Sequence, residues 1–217
     1  MFKKLKAFTL AEALIVITII GVIAVVALPI LKKNYETKAF HSAMKKNYYV
    51  LKTALDKYRA ENFTPIKGTD YGYDVRAKLE PYLNFNVRCS GAGGVYISPC
   101  PTDSYLNYKD KKISFGKALS HYGGLILNDG TALTVGHSPN TSLIDFSKYI
   151  YVDVNGYNKL PNKLGVDLYV FQLNGDGELL PMGAQGTEFE GTELCSESST
   201  NVHNGYACAN KVFMEER

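Results

Sequence analysis

An unbroken apolar run near the start of this chain constrains its fold more than any other feature. Leu10 to Leu31 reads LAEALIVITIIGVIAVVALPIL, 22 residues with a single charged side chain, Glu12. As an α-helix it spans about 33 Å at ~1.5 Å per residue, enough to cross the hydrocarbon core of a bilayer. Lys3, Lys4 and Lys6 precede the run, and Lys32 and Lys33 follow it. The positive-inside bias then holds the amino end in the cytoplasm. Two ordinary readings exist for such a segment. One is a secretory signal peptide, with the small residues Val25 and Ala27 offering cleavage before Leu28. The other is a plain membrane anchor. Glu12 suits neither, because a carboxylate inside an apolar segment costs roughly 2.5–3.5 kcal/mol on insertion scales. It needs a partner.

The helical pattern continues beyond the run to about Asn62. Phe40, Met44, Tyr48, Leu51, Leu55 and Tyr58 recur at steps of three and four, with Ala43, Val50 and Ala54 beside them, and Pro65 marks the stop. A helix from Phe8 to Asn62 would be roughly 80 Å long, too long for a globular domain alone. Its first half is apolar enough for a membrane, and its second half lays one face on a soluble head. Pro29 removes one backbone hydrogen bond and is expected to bend or locally melt the helix.

Composition matters here for its distribution. The 217 residues carry a net charge of +3, too small to argue a polyanion partner, and at 46% hydrophobic the chain is no disordered tail. The mean hydropathy of −0.12 averages over unlike parts. Residues 32–59 hold eight basic side chains (Lys32, Lys33, Lys38, Lys45, Lys46, Lys52, Lys57, Arg59) against Glu36 and Asp56, whereas the stretch from Ala60 onward holds 13 basic and 18 acidic. The basic stretch suits an acidic partner surface, such as the acidic remainder of another copy, or nucleic acid; a solvated helix face is the simpler account.

The start of the chain resembles a known family. KKLKAFTLAEALIVITIIGVIAVVALPIL is similar to the leader and first helix of type IV pilins and type II secretion pseudopilins, over about the first 31 residues. The shared pattern is a short basic leader, a small residue, Phe, Thr, Leu, two residues to Glu, and then an apolar helix. The resemblance implies that a prepilin peptidase cuts between Ala7 and Phe8 on the cytoplasmic side and methylates the new amine of Phe8. Glu12 becomes the fifth residue of the mature chain, free to pair with the Phe8 ammonium of a neighbouring subunit and set its register. Gly21 and Pro29 fall where pilins commonly carry a glycine and a helix-bending proline. Ala7 departs from the family's usual Gly before the cut, but it is still small. The division implied is a cleaved leader 1–7, a transmembrane or filament-core helix 8–31, a stalk helix 32–63 and a head 64–217. The expected place is a bacterial inner membrane, crossed once with the head outside the cytoplasm, and afterwards a pilus or pseudopilus. The expected partners are the peptidase, other pilin or pseudopilin subunits, inner-membrane assembly machinery and lipid.

The rest of the chain reads as an α+β head, a helix across an antiparallel meander. A short helix is expected from Asp74 to Leu83 with Asp74 as its cap, and the rest of 64–124 as surface loop. Leu125–Leu127, the turn Asn128-Asp129-Gly130 and Ala132–Val135 form a hairpin. Tyr149–Val154 is a third strand and Leu168–Leu173 a fourth, closed by Asn174-Gly175-Asp176-Gly177 into Glu178–Leu180. The pilin head has this pattern too.

Four cysteines allow three connectivities; pairing local in sequence joins Cys89 to Cys100 and Cys195 to Cys208. Zinc is not indicated, since there is no Cys-x-x-Cys and His121, His137 and His203 have no ligand spacing. The stretch Val152-Asp153-Val154-Asn155-Gly156, Leu160-Pro161-Asn162 and Gly165-Val166-Asp167 resembles a stretch seen in many pseudopilin-like heads. Oxygen ligands from Asp153, Asn155 and Asp167 suit calcium, and plain turn chemistry explains the same residues. No other cofactor is implied. No Gly-x-Ser-x-Gly, P-loop or dinucleotide fingerprint occurs, so a structural subunit is expected rather than an enzyme. An adhesin-like head is the other reading, with the Tyr-rich loop 95–108 or the loop 195–208 as contact surface for glycan, protein or DNA.

Overall fold

The computed structural model of the protein describes residues 9–70, 72–89, 100–101, 105–113, 124–136 and 148–215. The chain divides into two compact units, residues 1–39 and 40–217, so the division falls inside the long helix rather than at its end.

Helix α1 runs Leu10–Asn62. In the first unit no residue from Leu10 to Ala39 is buried, and the large apolar side chains of this stretch are exposed along its whole length. It is long and apolar enough to cross a membrane. The expected melting at Pro29 is absent: the helix continues through the proline, which removes one backbone bond without freeing a turn.

In the second unit α1 acquires an inside. Met44, Asn47, Leu51, Ala54 and Leu55 are buried at helical spacing. Asn47 Nδ2 donates to Ala43 O at 2.9 Å and to Thr131 Oγ1 at 3.2 Å, and Lys46 pairs with Asp129 at 2.6 Å. These contacts fix the helix to the turn between two strands of the sheet. The helix ends where Phe63 takes a left-handed conformation, φ 58°, its N–H donating to Arg59 O at 2.9 Å.

The sheet has six strands in the order β1-β4-β5-β6-β7-β8, every neighbouring pair antiparallel. They are β1 (Phe85–Arg88), β4 (Gly124–Leu127), β5 (Ala132–Val135), β6 (Tyr149–Asp153), β7 (Leu168–Leu173) and β8 (Leu179–Pro181). From β4 onward each strand pairs with the next, a meander, and β1 joins at the β4 edge. A two-stranded ribbon, β2 (Tyr105–Leu106) with β3 (Lys112–Ile113), lies apart from this sheet, and α3 (Cys208–Met214) closes the fold.

Three sequence expectations need correcting. The second helix is α2 (Gly72–Leu79) followed by a 3₁₀ turn Glu80–Tyr82, because Pro81 cannot continue an α-helix; Asp74 lies in its first turn rather than at its cap. The segment read as loop between 64 and 124 holds β1, β2 and β3. The strand read as Tyr149–Val154 ends at Asp153, and β8 is Leu179–Pro181, one residue later than expected at each end.

Strand alternation divides the core into two layers. Ile150, Val152, Tyr169, Phe171 and Leu173 face Met44, Leu51 and Leu55 of α1. Tyr149, Tyr151, Leu168 and Val170 face the other way, against Tyr105, Met182 and Tyr206. The far side of the sheet is thus covered jointly by the ribbon β2–β3, the β6–β7 connection and the irregular segment 182–206. Disulfides join Cys89 to Cys100 and Cys195 to Cys208, partners local in sequence. The second ties that segment to the start of α3.

Candidate functional site

Two places hold the residues that the sequence marks as candidates. The first is the start of α1. Thr9 N and Thr9 Oγ1 both donate to Glu12 Oε2, at 2.9 and 2.8 Å, and Glu12 N donates to Thr9 Oγ1 at 3.2 Å. This reciprocal exchange is a capping box, which satisfies two of the donors a helix start leaves orphaned. The spacing Thr9-Leu10-Ala11-Glu12 is the sequence signature of this box, and it gives Glu12 a helix-capping role besides the register role the pilin resemblance implies. Within one chain Glu12 has a local partner. Ala7 and Phe8 lie outside the described residues, so the cleavage point and the Phe8 amine have no geometry here. At Gly21 an added Cβ would meet nothing within 4 Å, so nothing in this chain demands a glycine there.

The second place is the connection from β6 to β7. Asp153, the last residue of β6, and Asp167, the residue before β7, are buried to 1% and 0% exposure. Gly156 N donates to Asp153 Oδ1 at 2.9 Å and Tyr105 OH to Oδ2 at 2.8 Å. Lys163 N donates to Asp167 Oδ1 at 2.6 Å and Asn162 N to Oδ2 at 2.8 Å. All four carboxylate oxygens therefore accept from protein donors. The third expected ligand, Asn155, donates its amide to Lys159 O and Leu160 O, at 3.3 and 3.1 Å. Asn162 does likewise to Tyr157 O at 2.8 Å, and the Oδ1 atoms of both asparagines are buried without a partner. Gly156, φ 83°, is required: a Cβ there would lie 2.5 Å from Gly130 O.

Burial, reinforced by the neighbouring Asp167 charge, pushes the Asp153 carboxyl up to about 7, against the pull of its hydrogen bonds from Tyr105 and Gly156. Burial also raises Asp167, opposed by the Lys163 and Asn162 amides. Two carboxyls raised together favour a proton held in the loop over two free charges. Among the described residues no three of His, Cys, Asp and Glu gather closely enough to hold a metal ion. His203 stacks on Phe189 at 5.3 Å; His121 and His137 lie outside the described residues.

Among the described tyrosines of loops 95–108 and 195–208, only Tyr108 keeps partial exposure, with Lys163 Nζ 5.7 Å from its ring centre. Tyr105 and Tyr206 are buried in the second core layer, and residues 95–99 and 102–104 lie outside the described residues. No family model matches this chain, and neither a curated protein nor a solved structure shows significant similarity to it.

Proposed function

We propose that this chain is a non-catalytic structural subunit of a type IV pilus-like or type II secretion pseudopilus filament. A prepilin peptidase cleaves it between Ala7 and Phe8 and methylates Phe8, and it assembles from the inner membrane through α1. The observation that carries this reading is the contrast along one helix. Residues 10–39 leave every apolar side chain unburied, while residues 44–55 contribute five buried positions to the head. A helix so exposed needs lipid or other copies of itself around it. The basic leader, the Ala7-Phe8-Thr9 junction and Glu12 lie in the order the pilin resemblance requires. Before assembly, the capping box gives Glu12 a partner; in a filament the same carboxylate is available to the Phe8 ammonium of a neighbour, where it sets register rather than stability.

Glu12→Gln tests this. The variant is expected to insert, fold its head and keep both disulfides, and to lose shearable filaments. Filaments of normal abundance from this variant would remove the role given to Glu12.

A further inference from the structure

The exposed apolar row of α1 stops at Leu31, and a band of a different kind follows it. Lys32, Lys33, Tyr35 and Lys38 are all exposed, Lys32 to 76% of its side chain and Tyr35 to 75%. Three lysines against Glu36 leave residues 32–38 at +2. Glu36 reaches Lys32 at 3.7 Å, with both partners in solvent, a pairing that holds the lysine only weakly. Lys33 has no ion pair among the described residues. Around the helix axis, at about 100° per residue, Lys33 lies about 100°, Lys38 about 240° and Tyr35 about 300° from Lys32. No side of the helix is without one of them. Further along, where α1 meets its own head, the buried positions Met44, Leu51 and Leu55 keep to one face. The band is a collar and not a stripe.

We infer that this collar binds the phosphate headgroups of anionic lipid on the outer side of the membrane that α1 crosses. The contact rests on the filament reading for its setting, with Leu10–Leu31 as a membrane span before assembly. Length, distribution and side-chain type choose lipid as the occupant. The apolar row from Leu10 to Leu31 is about 33 Å long against a hydrocarbon core of about 30 Å, so the residues just beyond it stand at headgroup depth. Residues 32–38 rise only about 9 Å further, and flexible lysine stems bring their ammonium groups to the same phosphates. A neighbouring protein or a nucleic acid duplex meets a helix on one side. A headgroup layer surrounds it, and here the cations surround it. Tyr35 adds an amphipathic ring of the kind enriched at membrane–water interfaces, its apolar body toward the acyl chains and its hydroxyl in water. The attraction is ionic, ammonium to phosphodiester oxygen, with no bond made or broken. The collar fixes how deep the span sits before assembly draws it out.

Full-length wild type and Lys32→Gln/Lys33→Gln test this, each reconstituted in vesicles of equal phosphatidylglycerol and phosphatidylcholine and then extracted in mild detergent. Mass spectrometry reads the ratio of the two lipids retained by the chain. The wild type should retain the anionic lipid in excess. Attraction to an anionic surface weakens about fivefold for each lysine removed, so the variant's ratio should fall toward that of the vesicle. Lys32→Arg/Lys33→Arg should keep the excess, since the charge remains. Both disulfides, checked in every variant, show that the head has folded. A wild-type ratio equal to that of the vesicle overturns the collar. So does an excess that survives Lys32→Gln/Lys33→Gln, which would put the preference in Lys3, Lys4 and Lys6 instead. A variant that loses self-association or duplex DNA binding with its lipid ratio unchanged overturns it as well. A chain processed at Phe8 and assembled into filaments without any lipid preference would sink the collar and leave the filament reading standing. A lipid preference that follows Lys32 and Lys33 in a chain never processed at Phe8 would do the reverse.

Discussion

Asp153 and Asp167 are the most informative single residues in the head, since folding places two carboxyls where water does not reach. The sign of their effect on stability follows from the direction of the shift. A carboxyl raised in the folded state binds its proton more tightly there than in the unfolded chain. Its contribution is complete below the ordinary aspartate value of 3.8 and is lost as the pH rises through about 7. Asp167 shifts in the same direction. Between pH 5 and 7 the head should therefore lose stability at roughly 1 kcal/mol per pH unit, and Asp153→Asn should flatten that slope in thermal or urea unfolding. Calcium would hold both carboxylates ionised and reverse the slope. With all four oxygens already accepting from Tyr105, Gly156, Asn162 and Lys163, millimolar calcium is expected to leave the melting temperature and its pH dependence unchanged. Stabilisation by calcium above pH 7 would contradict this account of the loop. The Asp-x-Asn-Gly and Gly-x-Asp spacing was readable in the sequence. The donors that occupy the carboxylates were not, because Tyr105 arrives from a ribbon 48 residues away.

Among the elements, α1 was the most legible and the short strands the least. Its three-and-four periodicity marks the face that Met44, Leu51 and Leu55 bury, and the end at Asn62 follows from Pro65 close beyond. By contrast β1 alternates only between half-buried and exposed, and β2 and β3 are two residues each, so no period exists to detect. Two substitutions, one on α1 and one just beyond its end, should act in opposite directions. Leu51 is fully buried against the sheet, so Leu51→Ala should cost the head about 2–5 kcal/mol. Phe63 is 91% exposed in a left-handed conformation that only glycine adopts freely. Phe63→Gly relieves that cost without losing burial and should stabilise the head by up to about 1 kcal/mol. Urea unfolding of both variants checks the pair; destabilisation by Phe63→Gly would mean that the ring has a partner this chain alone does not provide.

At the scale of the molecule, a near-neutral average hides three unlike parts. The +3 of the chain resides in Lys3, Lys4 and Lys6; the remainder holds 21 basic and 21 acidic side chains. Those are distributed as an apolar helix, a basic stretch along its continuation and a later segment, 182–206, that holds four glutamates and no Lys or Arg. Charge by segment was visible in the sequence. That the acidic segment shares its face of the sheet with the lysine-bearing ribbon β2–β3 was not, because the alternation of Tyr149–Tyr151 against Ile150–Val152 says only that two faces exist and not what covers each. The central claim is that α1 is exposed because it is meant for assembly after cleavage of the leader. Mass spectrometry of the intact mature protein tests this directly. The account predicts a chain beginning at an N-methylated Phe8; a chain beginning at Leu28, or one retaining Met1 to Ala7, would contradict it.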